Sequence, residues 1–159
     1  FIVELVFDIA KEQIVPKLKT EIMEDYLVGK RILLCEDHPL NTQIATKLLE
    51  KKGILVEHAE NGQVAVDLFR KMKPNYYDGI LMDIRMPVMD GIAATKVIRE
   101  TDREDAKTVP IIAITANAFD EDVKKSLDAG MNAHLAKPIE PKQMFQILYH
   151  FICENPKMV

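Results

Sequence analysis

The stretch ILMDIRMPVMDG, residues 80–91, decides the fold of this chain. Residues 79–82 form a short apolar run, which predicts a buried β-strand, and the run ends at Asp83. Asp90 and Gly91 then mark the start of an amphipathic helix. A buried strand followed by a surface helix is the repeating unit of a parallel α/β sheet.

Four more strand-helix units flank this stretch, so we predict a five-stranded, doubly wound α/β fold. The strands are predicted over residues 31–35, 55–59, 79–82, 110–115 and 133–136. The first, third and fourth are almost uniformly apolar, as central strands covered on both faces should be, and the second and fifth look less protected.

Apolar residues at helical spacing lie between these strands and predict the faces that the helices bury. The stripes are Leu40/Ile44/Leu48, Val64/Leu68/Phe69/Met72, Ile92/Val97/Ile98 and Val123/Leu127, with Met144/Phe145/Leu148/Ile152 in a closing helix.

Residues 1–29, which precede this series of strands and helices, have a different residue pattern. Residues 1–8 alternate with a period of two, which predicts a strand that belongs to an upstream domain. Residues 9–29 are charged, contain Pro16 and end at Gly29, and are interpreted as a linker that includes a helix. We therefore expect a fragment of a longer polypeptide, with one domain over residues 30–153 and a tail over 154–159.

Composition excludes several classes of function. The chain has 159 residues, 48% of them hydrophobic and 29% charged, which is typical of a soluble globular protein. A net charge of −4 disfavours direct nucleic-acid binding. No apolar run is long enough to cross a bilayer, so we expect no membrane contact. Two isolated cysteines, Cys35 and Cys153, fit a reducing, cytoplasmic setting.

Four of the five predicted strands end in a segment with a polar residue: Glu36-Asp37, Asp83, Thr115-Ala116 and Lys137-Pro138. Ligands of open parallel sheets bind at the carboxyl ends of the strands, so we expect these side chains to meet at one edge.

Three clustered carboxylates either take up protons or hold a divalent cation, and Mg²⁺ prefers hard oxygen ligands. An ionised Asp83 beside that cation could act as an oxygen nucleophile toward phosphorus. A transferring phosphoryl group carries spread negative charge, which the Lys137 ammonium and the Thr115 hydroxyl could stabilise.

The chain from about residue 30 to 152 resembles the receiver domain of two-component response regulators, including receivers fused to hybrid histidine kinases. The segments that carry the resemblance are ILLCEDHPLN at 32–41, ILMDIRMPVMDG at 80–91, IIAITANA at 111–118 and AGMNAHLAKPI at 129–139. The resemblance implies a flavodoxin-like (βα)5 fold with sheet order 2-1-3-4-5.

The resemblance also assigns roles at the acidic site. It implies that Asp83 is the phosphoacceptor and that Mg²⁺ is bound by Asp37, by Asp83 and by the backbone carbonyl of Arg85. Glu36 matches the acidic neighbour that acts mostly through water. Lys137 matches the lysine that pairs with the phosphoryl oxygens.

Further positions match the conformational switch of the family. Thr115 is expected to be the switch hydroxyl, and Ala116 the small residue beside it. Pro138 is expected to follow a cis peptide bond. His134 stands where the family often has a coupling Tyr or Phe, so the resemblance does not carry an aromatic flip mechanism to this chain.

The implied partner is a histidine kinase or a histidine phosphotransfer domain, with a homodimer as a further possibility. Docking is expected at the rim near His38, Pro39, Met86, Pro87 and Pro138. Residues 1–8, FIVELVFD, look like the last strand of a histidine-kinase ATP-binding domain. The longer protein that would contain both domains could be membrane-anchored.

Alternatives stay open at this point. The chain could be a pseudo-receiver that is never phosphorylated, or a magnesium-dependent phosphohydrolase with an aspartyl nucleophile. Arg85 disfavours the hydrolase, because that class needs an acid two residues after the nucleophile. A flavin- or nucleotide-binding protein is disfavoured because no Gly-rich loop follows the first strand. A receiver would catalyse only its own phosphorylation and dephosphorylation.

Overall fold

The computed structural model describes residue 19, residues 21–116 and residues 120–154. Over these residues five parallel strands form one sheet in the order β2-β1-β3-β4-β5. The predicted doubly wound α/β fold and its strand order are confirmed.

The strands are β1 (Arg31–Cys35), β2 (Leu55–Ala59), β3 (Gly79–Asp83), β4 (Ile111–Thr115) and β5 (Ala133–Ala136). The helices are α1 (residues 21–26), α2 (Pro39–Lys51), α3 (Gly62–Lys71), α4 (Gly91–Glu100), α5 (Glu104–Thr108), α6 (Asp120–Ala129) and α7 (Pro141–Tyr149). A π-helical turn, His150–Glu154, extends α7.

Two strand boundaries differ by one residue from the prediction. Strand β3 includes Asp83, because Asp83 pairs with Ile114 of β4. Strand β4 begins at Ile111, because Pro110 has no N–H for the ladder, although its carbonyl accepts a 2.8 Å hydrogen bond from Ile80 N. Asp83 is therefore held by the sheet and is not a loop residue.

The sheet separates two apolar layers. Leu33, Met82 and Ile111 face the layer that contains Phe69 of α3 and Ile98 of α4. Their strand neighbours face the other layer, which contains Leu49 of α2 and Leu148 of α7. All residues of β3 and β4 are buried, whereas β2 and β5 are partly exposed, as expected.

Part of the predicted helical packing is wrong. Leu40 and Ile44 are 57% and 48% exposed, and α2 instead buries Ala45 and Leu49. Ala45 and Leu49 each come one residue after a member of the predicted stripe, so the buried face of α2 is rotated by one position from the prediction. Leu127 of α6 is likewise 49% exposed.

The short helix α5 was not predicted, because polar contacts stabilise it and no apolar stripe marks it. Arg103 Nη2 lies 2.7 Å from Asp105 Oδ2, and the same oxygen accepts a hydrogen bond from Asn75 N at 3.0 Å. Arg103 Nη1 also donates to the carbonyl oxygens of Phe69 and Met72 at the end of α3.

The predicted linker contains a helix that packs on the domain. Residues 21–26 form α1, and Leu27 after it is fully buried in the layer between the sheet and α2. Glu24 Oε2 lies 2.7 Å from Lys52 Nζ at the end of α2. The strand predicted over residues 1–8 lies outside the described residues.

Gly91 positions the loop that follows β3. A β-carbon at this position would overlap the carbonyl oxygen of Asp83, and Gly91 N donates a 2.9 Å hydrogen bond to Ile84 O. Asp90 caps α4 by accepting a 2.8 Å hydrogen bond from Ala93 N. The turn therefore fixes the segment directly after Asp83.

Candidate acidic site at the carboxyl edge of the sheet

The predicted polar residues meet in a pocket of about 210 Å³ at the carboxyl ends of β1, β3, β4 and β5. Its lining consists of Glu36, Asp37, His38, Asn41, Asp83, Ile84, Arg85, Thr115, Ala116 and Lys137. The parallel sheet brings them together because the polar residues occupy the same end of each strand.

Lys137 connects two of the acids. Its Nζ lies 2.9 Å from Asp83 Oδ2 and 3.2 Å from Glu36 Oε2. Lys137 N donates a 2.8 Å hydrogen bond to Thr115 O, which extends the β4–β5 pairing to the lysine. The following Lys137–Pro138 peptide bond is cis, as the resemblance implies.

The three carboxylates form a compact cluster. Each of Glu36, Asp37 and Asp83 offers an oxygen within 4.8 Å of the others. Glu36 and Asp83 are 2% and 4% exposed, whereas Asp37 is exposed to solvent.

Backbone donors hold the two buried carboxylates. His38 N donates a 3.1 Å hydrogen bond to Glu36 Oε1, and Arg85 N donates a 3.2 Å hydrogen bond to Asp83 Oδ1.

The electrostatics of the pocket are those of crowded acids around one ammonium. Burial raises the pKa of Glu36, the negative charge of Asp83 raises it further, and the His38 N–H and Lys137 oppose the shift. Burial lowers the pKa of Lys137, but its contacts with Asp83 and Glu36 outweigh burial and leave that pKa above its usual value. Lys137 therefore stays protonated over the physiological pH range.

The donor set fits a hard divalent cation. Three carboxylates and one ammonium leave two formal negative charges in the cluster, which a divalent cation would balance. All the acidic ligand atoms are oxygens, the type that Mg²⁺ prefers. Arg85, whose carbonyl is the expected backbone ligand, also lines the pocket.

The remaining predicted residues fall into two groups. Thr115, which is 4% exposed, and Ala116, which is exposed, both line the pocket. The Arg85 side chain turns outward, 76% exposed, and its Nη2 lies 3.8 Å from Asp122 Oδ2 of α6. His134 of β5 pairs with Ala113 of β4 and is not among the described residues that line the pocket.

Two contributors were missed by the sequence reasoning. Asn41 lines the pocket from the first turn of α2, although it stands in the motif quoted above. His58 of β2 contacts the backbone of the site, with its Nε2 2.7 Å from Glu36 O. Its position on a predicted strand gave no sign of this contact.

Comparisons with known proteins identify the class. The profile of the response regulator receiver domain matches residues 32–149. The chain is 36% identical over 136 residues to hybrid signal transduction histidine kinase I of Dictyostelium discoideum, covering 84% of this chain and 8% of that protein. It is 40% identical over 150 residues to probable histidine kinase 2 of Oryza sativa subsp. indica, covering 87% of this chain and 14% of that protein.

Comparison with solved structures indicates the same class of domain. The receiver domain of a sensor histidine kinase from Pseudomonas aeruginosa PAO1, solved with a magnesium ion in its active-site cleft, is 42% identical. It superposes with a TM-score of 0.71 over 79% of this chain and 98% of that chain. The receiver domain of Ssk1, solved with the phosphotransfer protein Ypd1 of Saccharomyces cerevisiae, is 28% identical, with a TM-score of 0.73 over 84% of this chain and 94% of that one.

The fold and the acidic edge are thus those of a two-component signalling module. The chain belongs to the response regulator receiver domain family, and its curated relatives include hybrid histidine kinases. It spans only 8% to 14% of the length of the two relatives described above. Among the described residues, no helix combines the length and the apolar character needed to span a bilayer.

Proposed function

We propose that Asp83 accepts a phosphoryl group from a phosphohistidine and that this chain works as the receiver of a hybrid-kinase phosphorelay. One observation carries the proposal. The Lys137 ammonium lies 2.9 Å from Asp83 Oδ2, within the cluster that Asp83 forms with Glu36 and Asp37. A cation is therefore already in place beside the oxygen that would receive the phosphoryl group.

In this transfer only Asp83 forms a covalent bond, and the other residues act by positioning and electrostatic stabilisation. A carboxylate oxygen of Asp83 supplies an electron pair to phosphorus, and the O–P bond forms. The N–P bond breaks with its electron pair left on the imidazole nitrogen of the donor, which takes a proton from solvent. Lys137 and the Arg85 N–H stabilise the negative charge around the reacting oxygens.

Mg²⁺ would be held by the carboxylates of Asp37 and Asp83 and the carbonyl of Arg85, with Glu36 acting through water. When bound, it would neutralise charge on the phosphoryl oxygens. The cluster geometry supports the acidic members of this set, and the magnesium ion in the similar Pseudomonas aeruginosa receiver supports Mg²⁺ as the cation.

Phosphorylation would replace one negative charge on Asp83 with about two and add strong acceptor oxygens. Thr115, at the end of β4, and Lys137, after β5, line the same pocket. We propose that both move toward the new oxygens, with Ala116 leaving room, and bias the β4–α6–β5 region. His134 is proposed to tune this switch, because it belongs to β5, one of the elements of that region, and pairs with Ala113 of β4.

The proposed partner is a histidine phosphotransfer domain or the kinase itself, working in the cytoplasm. Leu40 and Ile44 form an exposed apolar pair one helical turn apart in α2, directly after the pocket residue His38.

The free cysteines Cys35 and Cys153 are compatible with a reducing compartment. A homodimer stays a prediction.

Intact mass spectrometry tests the function. Incubation with acetyl phosphate and Mg²⁺ should add the mass of one phosphoryl group, and Asp83→Asn should abolish the adduct. Asp90→Asn is the matched control, because an asparagine still caps α4 and labelling should continue. EDTA should block labelling.

Two outcomes would reject the proposal. The absence of an adduct with every phosphoryl donor would favour a pseudo-receiver. Sustained turnover of a small phosphate ester would favour the phosphohydrolase.

A further inference from the structure

The carbonyl group of Glu36 lies where the pairing of β1 with β2 stops. Cys35 opposite Ala59 is the last pair of the ladder, and Glu36 N donates a 3.1 Å hydrogen bond to Ala59 O. The Glu36 carbonyl therefore has no strand residue opposite it, although a backbone carbonyl near the protein interior needs a donor.

Side chains supply that donor. His58 Nε2 lies 2.7 Å from Glu36 O, whereas Thr42 Oγ1 lies 3.4 Å away. The Thr42 hydroxyl is closer to His38 O, at 3.0 Å, and is better placed to donate there. A carbonyl oxygen only accepts, so His58 Nε2 must carry the proton and make the principal hydrogen bond.

This hydrogen bond restrains the peptide unit that joins two of the acids. The carbonyl of Glu36 and the N–H of Asp37 belong to one planar group, so fixing one end orients the other. Glu36 is already held by His38 N and Lys137, but the Asp37 side chain is exposed and little packing restrains it. The direction of the Asp37 carboxylate therefore depends on its backbone.

We propose that His58 is a positioning residue for the divalent-cation site: its Nε2–H holds the Glu36 carbonyl and thereby aims the Asp37 carboxylate at the ion. His58 itself touches neither the ion nor the phosphoryl group. The inference rests on the proposed function only in that Asp37 is taken as a ligand of the cation.

Direct metal binding on the full chain tests the inference. Isothermal titration calorimetry with MgCl2 should show a dissociation constant raised about 10-fold in His58→Ala, in line with the loss of an outer-shell partner. His58→Asn should be as weak, because its amide is too short to reach. His58→Gln, whose amide nitrogen occupies nearly the position of Nε2, should restore binding to within about twofold.

The matched control is His150→Ala, which removes an exposed imidazole that pairs with Glu154 3.1 Å away, outside the site. Its magnesium affinity should equal that of the original chain. Thermal unfolding without metal checks that each variant is folded. If His58→Ala unfolds, the magnesium affinities of His58→Gln and His58→Asn can still be compared with each other.

Labelling by acetyl phosphate separates this inference from the proposed function. The Mg²⁺ concentration for half-maximal labelling should rise in His58→Ala, while the rate at saturating Mg²⁺ stays unchanged. Unaltered magnesium affinity in the alanine and asparagine variants, or a folded His58→Gln as weak as His58→Ala, would overturn the inference. Failure of the original chain to be labelled would count against Asp83 as acceptor, not against His58.

Discussion

The α-carbon of Gly91 packs so closely against the carbonyl oxygen of Asp83 that a β-carbon there would overlap it. Gly91→Ala should therefore displace either α4 or the end of β3. We expect a loss of about 1–3 kcal/mol in the free energy of unfolding, the range for overpacked sites, and slower labelling of Asp83. Urea unfolding and intact mass measure the two effects.

Gly29→Ala is the control for the Gly91 prediction. No atom lies within 4 Å of the added carbon, but the backbone φ of +81° is unfavourable for alanine. It should cost about 1 kcal/mol in stability and leave labelling unchanged. Equal labelling rates in the two variants would show that Gly91 does not position the acceptor.

The exposed pair Leu40 and Ile44 provides a test of docking. The double substitution to alanine should slow phosphoryl transfer from a phosphorylated histidine phosphotransfer protein by about 10-fold or more, because apolar contact area is lost. Labelling by acetyl phosphate, which needs no docking, should not change. Leu127→Ala removes a similarly exposed leucine, 49% accessible on α6, and should leave both rates as they were.

Leu27 bears on where the folded domain begins. We propose that it starts at α1 and not at residue 30, because Leu27 is fully buried in the same layer as Leu49. Leu27→Ala should cost about 2–5 kcal/mol in the free energy of unfolding, as other buried leucines do. Urea denaturation measures the loss.

Ile22→Ala on the same segment is the control for Leu27, because Ile22 is 55% exposed. Its unfolding midpoint should match that of the original chain. A chain that begins at residue 30 and unfolds at the same urea concentration as the full chain would contradict the proposed boundary.

Stability should fall at high pH because of Tyr77. Burial, followed by its hydrogen bond to Glu57, raises the pKa of Tyr77 above the usual range. The unfolded chain loses this proton near pH 10 and the folded chain retains it, so the contribution of Tyr77 to stability is full below about pH 10 and declines above it. The contribution of Tyr77 to the free energy of unfolding should fall by up to about 1.4 kcal/mol per pH unit.

Tyr77→Phe should remove this contribution and flatten the decline measured by urea unfolding between about pH 9 and 11. Tyr26→Phe alters a tyrosine that is 61% exposed and should leave the slope of the original chain. Equal slopes for Tyr77→Phe and the original chain would show that the buried phenol does not control alkaline stability.

The first, third and fourth strands were predictable because each combines an almost uniform apolar run with a polar end. Asp83 and Lys137 could be placed at one edge from chain order alone, since a parallel sheet aligns all its carboxyl ends. The outward turn of Leu40 and Ile44 could not be predicted, because α2 also has apolar residues at adjacent positions such as Ala45, so the spacing permits more than one buried face. The contact of His58 with Glu36 O depends on where a ladder ends, and no residue pattern encodes that.

The segment between α1 and β1 is hydrogen-bonded to the rest of the domain at one end of the sheet. Gly29 N donates a 2.8 Å hydrogen bond to Gly53 O, and Leu55 N donates one of 2.8 Å to Lys30 O, both where β1 and β2 begin. Asp83 lies at the opposite tip of the strands, about 15 Å away for a five-residue strand. The segment around Gly29 and the Asp83 carboxylate thus lie at opposite ends of the strands, so a protein that docks over Asp83 need not displace that segment.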